Sequence, residues 1–357
     1  MKKTLVLTTI LSGLTCAANA QELTVMSFGG AYGAAQTETH VMPFAAATGF
    51  PAKMVDSDNP AAPLKAMIEA GNVTVDVVSI EYADSMRMCD EGLLEPIDMS
   101  ILADGADGTP AAQDFLPGAL TECGVGTDIW ATVIAYDETK FTGAQPQTMA
   151  DFFDIAKFPG KRGMKKNAKS VLEMALMGDG VPAAEVYDLL STPEGLDRAF
   201  AKLDTIKKDV VWWEAGAQPQ QLLADGEVSM TIAYNGRVFD AIVAEDKPFK
   251  IMWDGQIFDY QQLVVPKGAP NKDKAMEFIT FATTTENFRA QAALISYGPP
   301  RKSANFEPLI YKDGKTEMGP HLPTNPENMK NALLSSADFW ADHDAELNER
   351  FQAWLVQ

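Results

Sequence analysis

Reactive side chains are few and scattered along these 357 residues. The three histidines, His40, His321 and His343, lie far apart with no dense Cys/His cluster beside them, so the ligand set of a zinc centre is missing and no metal is expected. No Ser/His/Asp spacing suited to nucleophilic catalysis is legible, and His321 and His343 fall in late, polar segments. There is no phosphate-binding glycine loop, and no adjacent tyrosine pair of the kind an iron receptor would use. What remains is the chemistry of recognition: aromatic rings, carboxylates and guanidinium groups that can hold a small ionic solute without transforming it. No cofactor is expected.

Composition narrows the partners. The chain carries 29 Lys+Arg against 49 Asp+Glu, a formal charge of −20, which argues against nucleic acid as a partner. With 46% hydrophobic and 9% aromatic residues it is a folding sequence, long enough for two domains or one large discontinuous one. Residues 1–20 read as a secretory signal: Lys2 and Lys3, an apolar run from Leu5 to Leu14, and Ala18-Asn19-Ala20 before Gln21. That run is too short to span a bilayer. Cleavage leaves 27 Lys+Arg against 49 Asp+Glu, a charge of −22, and removes Cys16. Cys89 and Cys123 remain, and export to an oxidising compartment favours a disulfide between them over two buried thiols. The mature chain is therefore expected to be soluble, exported, most simply periplasmic, and monomeric.

The elements that must position any site alternate. Leu23–Ser27, Ala52–Val55 and Val75–Ile80 read as strands, separated by helical patterns closing at Gly49 and Gly71. Such a β-α-β-α-β series predicts an α/β fold with a parallel sheet, whose ligands sit beyond the carboxyl ends of the strands. Ser27–Tyr32 and Ser79–Tyr82 are thus the first segments to watch. Residues 101–118 read as a surface loop. Further strands are expected at Thr132–Tyr136, Val228–Tyr234, Lys250–Trp253 and Tyr260–Pro266. Helices are expected at 148–156, 168–177, 193–207, 218–225, from Arg237, at Asn271–Thr283 and Thr285–Leu294, with two more over 326–354; Thr148 and Asn167 offer N-caps.

Several separated pieces, in this order, resemble the periplasmic solute-binding proteins of ATP-driven importers, in the polyamine-receptor branch. They are Ser27-Phe28-Gly29-Gly30-Ala31-Tyr32, Asp76-Val77-Val78-Ser79, Glu91-Gly92-Leu93-Leu94, Phe158-Pro159-Gly160-Lys161, Leu223-Ala224-Asp225-Gly226-Glu227, Tyr234-Asn235-Gly236-Arg237 and Val264-Val265-Pro266-Lys267-Gly268-Ala269-Pro270. The resemblance implies a type II two-lobe fold, two doubly wound α/β lobes joined by hinge strands and closing on a small ligand. By that analogy lobe 1 comprises 21–130 and 255–305, and lobe 2 comprises 131–254 and 306–357, with the C-terminal helices near the hinge. It also implies permease and ATPase subunits in the inner membrane as partners.

The resemblance places ligand-binding positions at Phe28 and Tyr32, Ser79 and Glu81, Tyr234, and Tyr297 in the Gly/Pro turn. The sequence departs from a polyamine pattern at three points. The turn Lys165-Lys166-Asn167-Ala168-Lys169-Ser170 has no acid, a usual carboxylate position holds Gln261 with Asp259 two residues earlier, and Arg237 adds a permanent cation. Like charges at close range disfavour a ligand with two ammonium groups. A ligand with one amine and one carboxylate resolves this: Arg237 holds the carboxylate, while Asp259 or Glu81, with Phe28 or Tyr234 as an aromatic wall, holds the amine. Tyr-Asn-Gly-Arg with a downstream Asp is similar to the branch that includes γ-aminobutyrate receptors. Putrescine or spermidine is the alternative ligand, and an enzyme on the same fold a remote one. Each position also has a plainer reading as core aromatic, turn acid or surface cation; Trp212-Trp213 reads as packing at a hinge or lobe edge, and Trp340 and Trp354 as core.

Overall fold

A computed structural model describes residues 22–57, 59–305 and 308–357; the predicted signal peptide lies outside the described residues. Nine strands form one continuous mixed sheet: β1 Leu23–Ser27, β2 Ala52–Asp56, β3 Val77–Glu81, β4 Gly124–Asp137, β5 Arg162–Lys165, β6 Val210–Trp213, β7 Met230–Tyr234, β8 Phe249–Val264 and β9 Leu333–Leu334. Their order is β2-β1-β3-β8-β4-β7-β5-β6, with β9 on β8. At one end β1 pairs in parallel with β2 and β3, and at the other β5 pairs in parallel with β6 and β7. Each end is thus a small doubly wound unit, and the two long antiparallel strands β4 and β8 run through both.

These long strands differ from the expectation of separate short ones at Thr132–Tyr136, Lys250–Trp253 and Tyr260–Pro266. Gly124–Asp137 is almost wholly buried, so it lacks the polar–apolar alternation that marks a half-exposed strand. β5 and β6 were missed for another reason: they are four residues each, and β5 begins on a charged residue, Arg162. That guanidinium is buried and donates to the carbonyls of Phe152, Gly160 and Phe158 at 2.6–2.7 Å.

Two large apolar cores flank the sheet. One gathers Val25, Phe44, Val77, Phe115, Ile129, Phe278 and Phe288. The other gathers Ile134, Phe152, Met164, Leu172, Phe200, Trp213 and Ile232 with Phe339, Trp340, Phe351 and Trp354. A single helix, Ala337–Leu355, supplies the last four, where two helices were expected over 326–354; most of the rest of that span is turns and 3-10 segments. Trp340 and Trp354 are core residues, and Trp212 packs edge-on to Phe351 and Trp354. Thr148 caps its helix through a reciprocal capping box with Asp151. Asn167 does not cap: its carboxamide accepts the Lys169 N–H, and Ser170 occupies the N-cap of Val171–Gly178. The 101–118 loop holds a helical turn, Ala111–Asp114, with Asp114 buried. Cys89 and Cys123 form a disulfide. They also make, with Glu122, a cluster of Cys and acidic side chains close enough to ligate a metal, but both thiols are spent in that bond. No helix among the described residues is long and apolar enough to cross a membrane.

Candidate functional site

Strand register builds the site. Directly opposed residues in a sheet share a face, and so do residues two apart on one strand. Glu81 of β3 opposes Gln261 of β8, Gln261 opposes Asp128 of β4, and Trp130 opposes Asp259. Thr132, two residues beyond Trp130, opposes Tyr234 at the end of β7. Glu81, Gln261, Asp259, Asp128, Trp130 and Tyr234 therefore line one face across four neighbouring strands where the two halves of the sheet meet.

A β-bulge sets this pattern. Gly126 opposes Gln262 while Asp128 opposes Gln261, so Thr127 is an extra residue. Such an insertion reverses which side chains face which way beyond it. Asp128 and Trp130 lie in the part of β4 before Thr132, where no strand was expected, and even simple alternation from Val125 would have sent Asp128 to the opposite face.

Asp128 is 2% exposed and anchors the first aromatic group. The Tyr32 hydroxyl donates to its Oδ2 at 2.6 Å, accepts from Gln36 at 2.9 Å and lies 3.2 Å from Ser79 Oγ. Tyr32 stands 5.6 Å from the Tyr297 ring and 6.4 Å from Phe28, centroid to centroid. Phe28, Tyr32, Ser79 and Tyr297 thus come together as one wall. The turn that delivers it needs a glycine, because Gly30 has φ +70°. Burial pushes the Asp128 carboxyl up to about 7, against hydrogen bonds from Tyr32 and Gln291 that lower it. Burial and then the Asp128 charge push the Tyr32 phenol well above its ordinary range. The other carboxylate oxygen of Asp128 is buried without a hydrogen-bond partner among the described residues.

A second group is ionic. Asp259 is 4% exposed; its carboxylate accepts the Tyr260 N–H at 2.8 Å and lies 3.7 Å from Lys169 Nζ. Burial raises Asp259 to about 7, the nearby Glu81 adds to the rise, and Lys169 opposes it. Half-buried Glu81 is also raised by loss of solvent, with Lys169 and Lys165 opposing. The pairing joins a lysine-rich turn to a strand ninety residues later, so no local sequence signal announces it.

The third group surrounds Tyr234. Its ring packs edge-on to Trp130 at 5.6 Å and Trp213 at 6.0 Å, with Lys165 Nζ 5.8 Å from its centroid. Gly216 allows the approach, since a Cβ there would fall 2.9 Å from the ring and 3.6 Å from Arg237 Nε. Arg237 is exposed and makes no hydrogen bond or ion pair among the described residues, and its charge lowers the otherwise raised Tyr297 phenol. Asn235 locks this corner: its side chain accepts the Ala131 N–H at 2.9 Å and donates to the Ser296 carbonyl at 2.5 Å. The indole N–H groups of Trp130 and Trp213, the Gln261 carbonyl oxygen and the Ser296 hydroxyl are all buried without hydrogen-bond partners among the described residues. Unsatisfied polar groups at such density are rare unless a ligand or water completes them. A surface hollow of about 540 Å³ lined by Ile242, Phe249, Trp253 and Pro320 lies apart and shares no residue with this cluster.

The arrangement is polarised. Two raised carboxyls with one lysine stand on the β3–β8 side, aromatic rings lie between, and a free guanidinium stands beside Tyr234. Residues 40–324 match the family described as bacterial extracellular solute-binding protein. The chain is 44% identical to the gamma-aminobutyric acid-binding protein of Pseudomonas aeruginosa, over 95% of this chain and 92% of that one. Among solved structures it is similar to a GABA receptor, with TM-score 0.77 and 34% identity over 94% of this chain and 98% of that one. It is also similar to an ABC transporter substrate-binding protein from Bradyrhizobium japonicum, with TM-score 0.80 and 31% identity over 93% and 99% of the two chains.

Proposed function

The chain belongs to the bacterial extracellular solute-binding protein family, and from that membership we propose that it captures γ-aminobutyrate or a similar ω-amino acid between its two lobes. The loaded form is then presented to the permease of an ATP-driven importer in the inner membrane, from the periplasm. The activity proposed is binding without turnover, in which ligand contact stabilises a closed form.

The observation that carries this reading is the polarity of the cleft face. When ionised, Glu81, Asp259 and Asp128 against Lys169 and Lys165 leave one net negative charge on this face, which suits one ammonium. Arg237, which makes no hydrogen bond or ion pair among the described residues although its charge acts on Asp240, suits one carboxylate by a two-pronged hydrogen bond. Tyr234, Phe28, Tyr32 and Tyr297 supply apolar walls for the methylene chain and faces for the ammonium. The relatives named for γ-aminobutyrate support the same choice. A diamine would leave Arg237 facing a second cation.

Calorimetry on the mature protein tests it. γ-Aminobutyrate should bind and putrescine should bind far more weakly. Arg237→Ala should weaken γ-aminobutyrate by about 2 kcal/mol, the scale of a hydrogen bond to a charged group. Tight putrescine binding with no response to zwitterions would overturn the reading.

A further inference from the structure

Lys169 stands among three acids. Its ammonium lies 3.7 Å from Asp259, and its charge acts on Glu81 and on the buried Glu173. Glu173 is already engaged elsewhere: the Trp340 indole donates to it at 2.7 Å and the Tyr187 hydroxyl at 3.1 Å. Lys169 is therefore the counter-charge of Asp259, and it shares Glu81 with Lys165.

The turn that carries it is held on every side. The Lys166 N–H donates to the Trp213 carbonyl at 2.8 Å, Ala168 N–H to Asn348 at 2.9 Å and Lys169 N–H to Asn167 at 2.9 Å. Ser170, next in the chain, has φ +72°, a left-handed conformation that costs a residue with a Cβ. Such strain persists only where surrounding contacts impose it, and it clusters where geometry matters for function. A lysine needed only for solubility would require none of this bracing.

Resting on the receptor reading above, we propose that Lys169 is the residue that sets the site's selectivity for ligands with one ammonium over those with two. Its charge is a built-in ammonium that, together with Lys165 acting on Glu81, takes up two of the three negative charges that Glu81, Asp259 and Asp128 offer on this face when ionised. One ligand ammonium balances what is left. A second one finds no counter-charge and meets Lys169, Lys165 and Arg237. The carboxylates alone would welcome a diamine, and the lysine is what refuses it.

The test is the ratio of dissociation constants for putrescine and γ-aminobutyrate, measured by calorimetry on wild type, Lys169→Met, Lys169→Gln and Lys169→Arg. The two neutral variants should lower that ratio by on the order of tenfold or more, as expected from removing one nearby like charge. Lys169→Arg should keep it. A ratio that stays put in both neutral variants, with affinity for each ligand falling equally, makes Lys169 a structural brace and overturns the proposal. So does a ratio that shifts equally in Lys169→Arg, because size rather than charge would then be responsible. Wild type preferring putrescine would instead refute the ω-amino acid reading. The change of ratio on neutralising Lys169 would still judge the lysine.

Discussion

Two buried acids in this molecule are paired with their bases to opposite standards. Asp114 and Arg301 meet at 2.9 Å with side chains 1% and 0% exposed. Asp114 also accepts from the Ser303 N–H and hydroxyl, both at 2.7 Å. Arg301 donates to the Thr283 and Ala103 carbonyls at 2.7 Å and lies over the Phe115 ring. Asp259 and Lys169 stand 3.7 Å apart, with the lysine side chain 26% exposed and Asp259 otherwise accepting only its neighbour's N–H. Both acids have lost their water. Only the first has been fully repaid in hydrogen bonds, and the deficit in the second is what a cationic ligand can make good.

Breaking the complete pair should have the larger effect. Asp114→Ala leaves a buried guanidinium without its anion, and the expected loss is about 3–5 kcal/mol of folding stability. Urea unfolding would show it, while ligand affinity in the surviving folded protein stays near wild type. A mild loss of stability, or a selective loss of affinity, would erase the distinction between the two pairs.

Asp259→Asn should do the reverse. The amide keeps the shape and removes a carboxyl whose burial is unfavourable, so the melting temperature holds or rises. Affinity for the amine-bearing ligand should fall by about 2 kcal/mol, the worth of one charged hydrogen bond. Lys169 loses little, because it is partly solvated and keeps Glu81 nearby. Equal losses of stability and affinity would place Asp259 with Asp114 as a framework residue.

The same contrast explains what could be read from sequence. The strand–helix alternation of Leu23–Ser27, Ala52–Asp56 and Val77–Glu81 was legible because short parallel strands between capped helices leave clear punctuation. It delivered Phe28, Tyr32, Ser79 and Glu81 to strand ends. Asp128 was hidden because the wholly buried start of its strand, before Thr132, shows no alternation, and the bulge at Thr127 would have misdirected any parity reading there. Lys169 was hidden because its partner depends on how a turn near residue 168 meets a strand ninety residues later. Arg162 and Arg301 were hidden because buried guanidinium groups satisfied by carbonyls leave no local trace.

The finest test uses pH, where the two roles of Asp259 run in opposite directions. Folding raises its carboxyl from an ordinary value of about 4 to about 7. Between those values the unfolded chain has released a proton that the folded chain retains, so this group's contribution to stability falls as pH rises through that window. Asp128 and Glu173, also raised to about 7 by burial, add to the same slope. Binding behaves oppositely, because an ammonium beside Asp259 requires the ionised form and expels the proton. Affinity should therefore climb with pH, by about tenfold from pH 6 to pH 8 for one group titrating near 7, and level off above. Calorimetry at pH 7 in buffers of different ionisation heat should register about half a proton released per ligand. In Asp259→Asn the binding slope should vanish while much of the stability slope, owed to Asp128 and Glu173, remains. If instead the binding slope survives in Asp259→Asn and disappears in Asp128→Asn, the amine sits at the unpartnered oxygen behind Tyr32. The half-satisfied pair that matters would then be the one on the first aromatic wall.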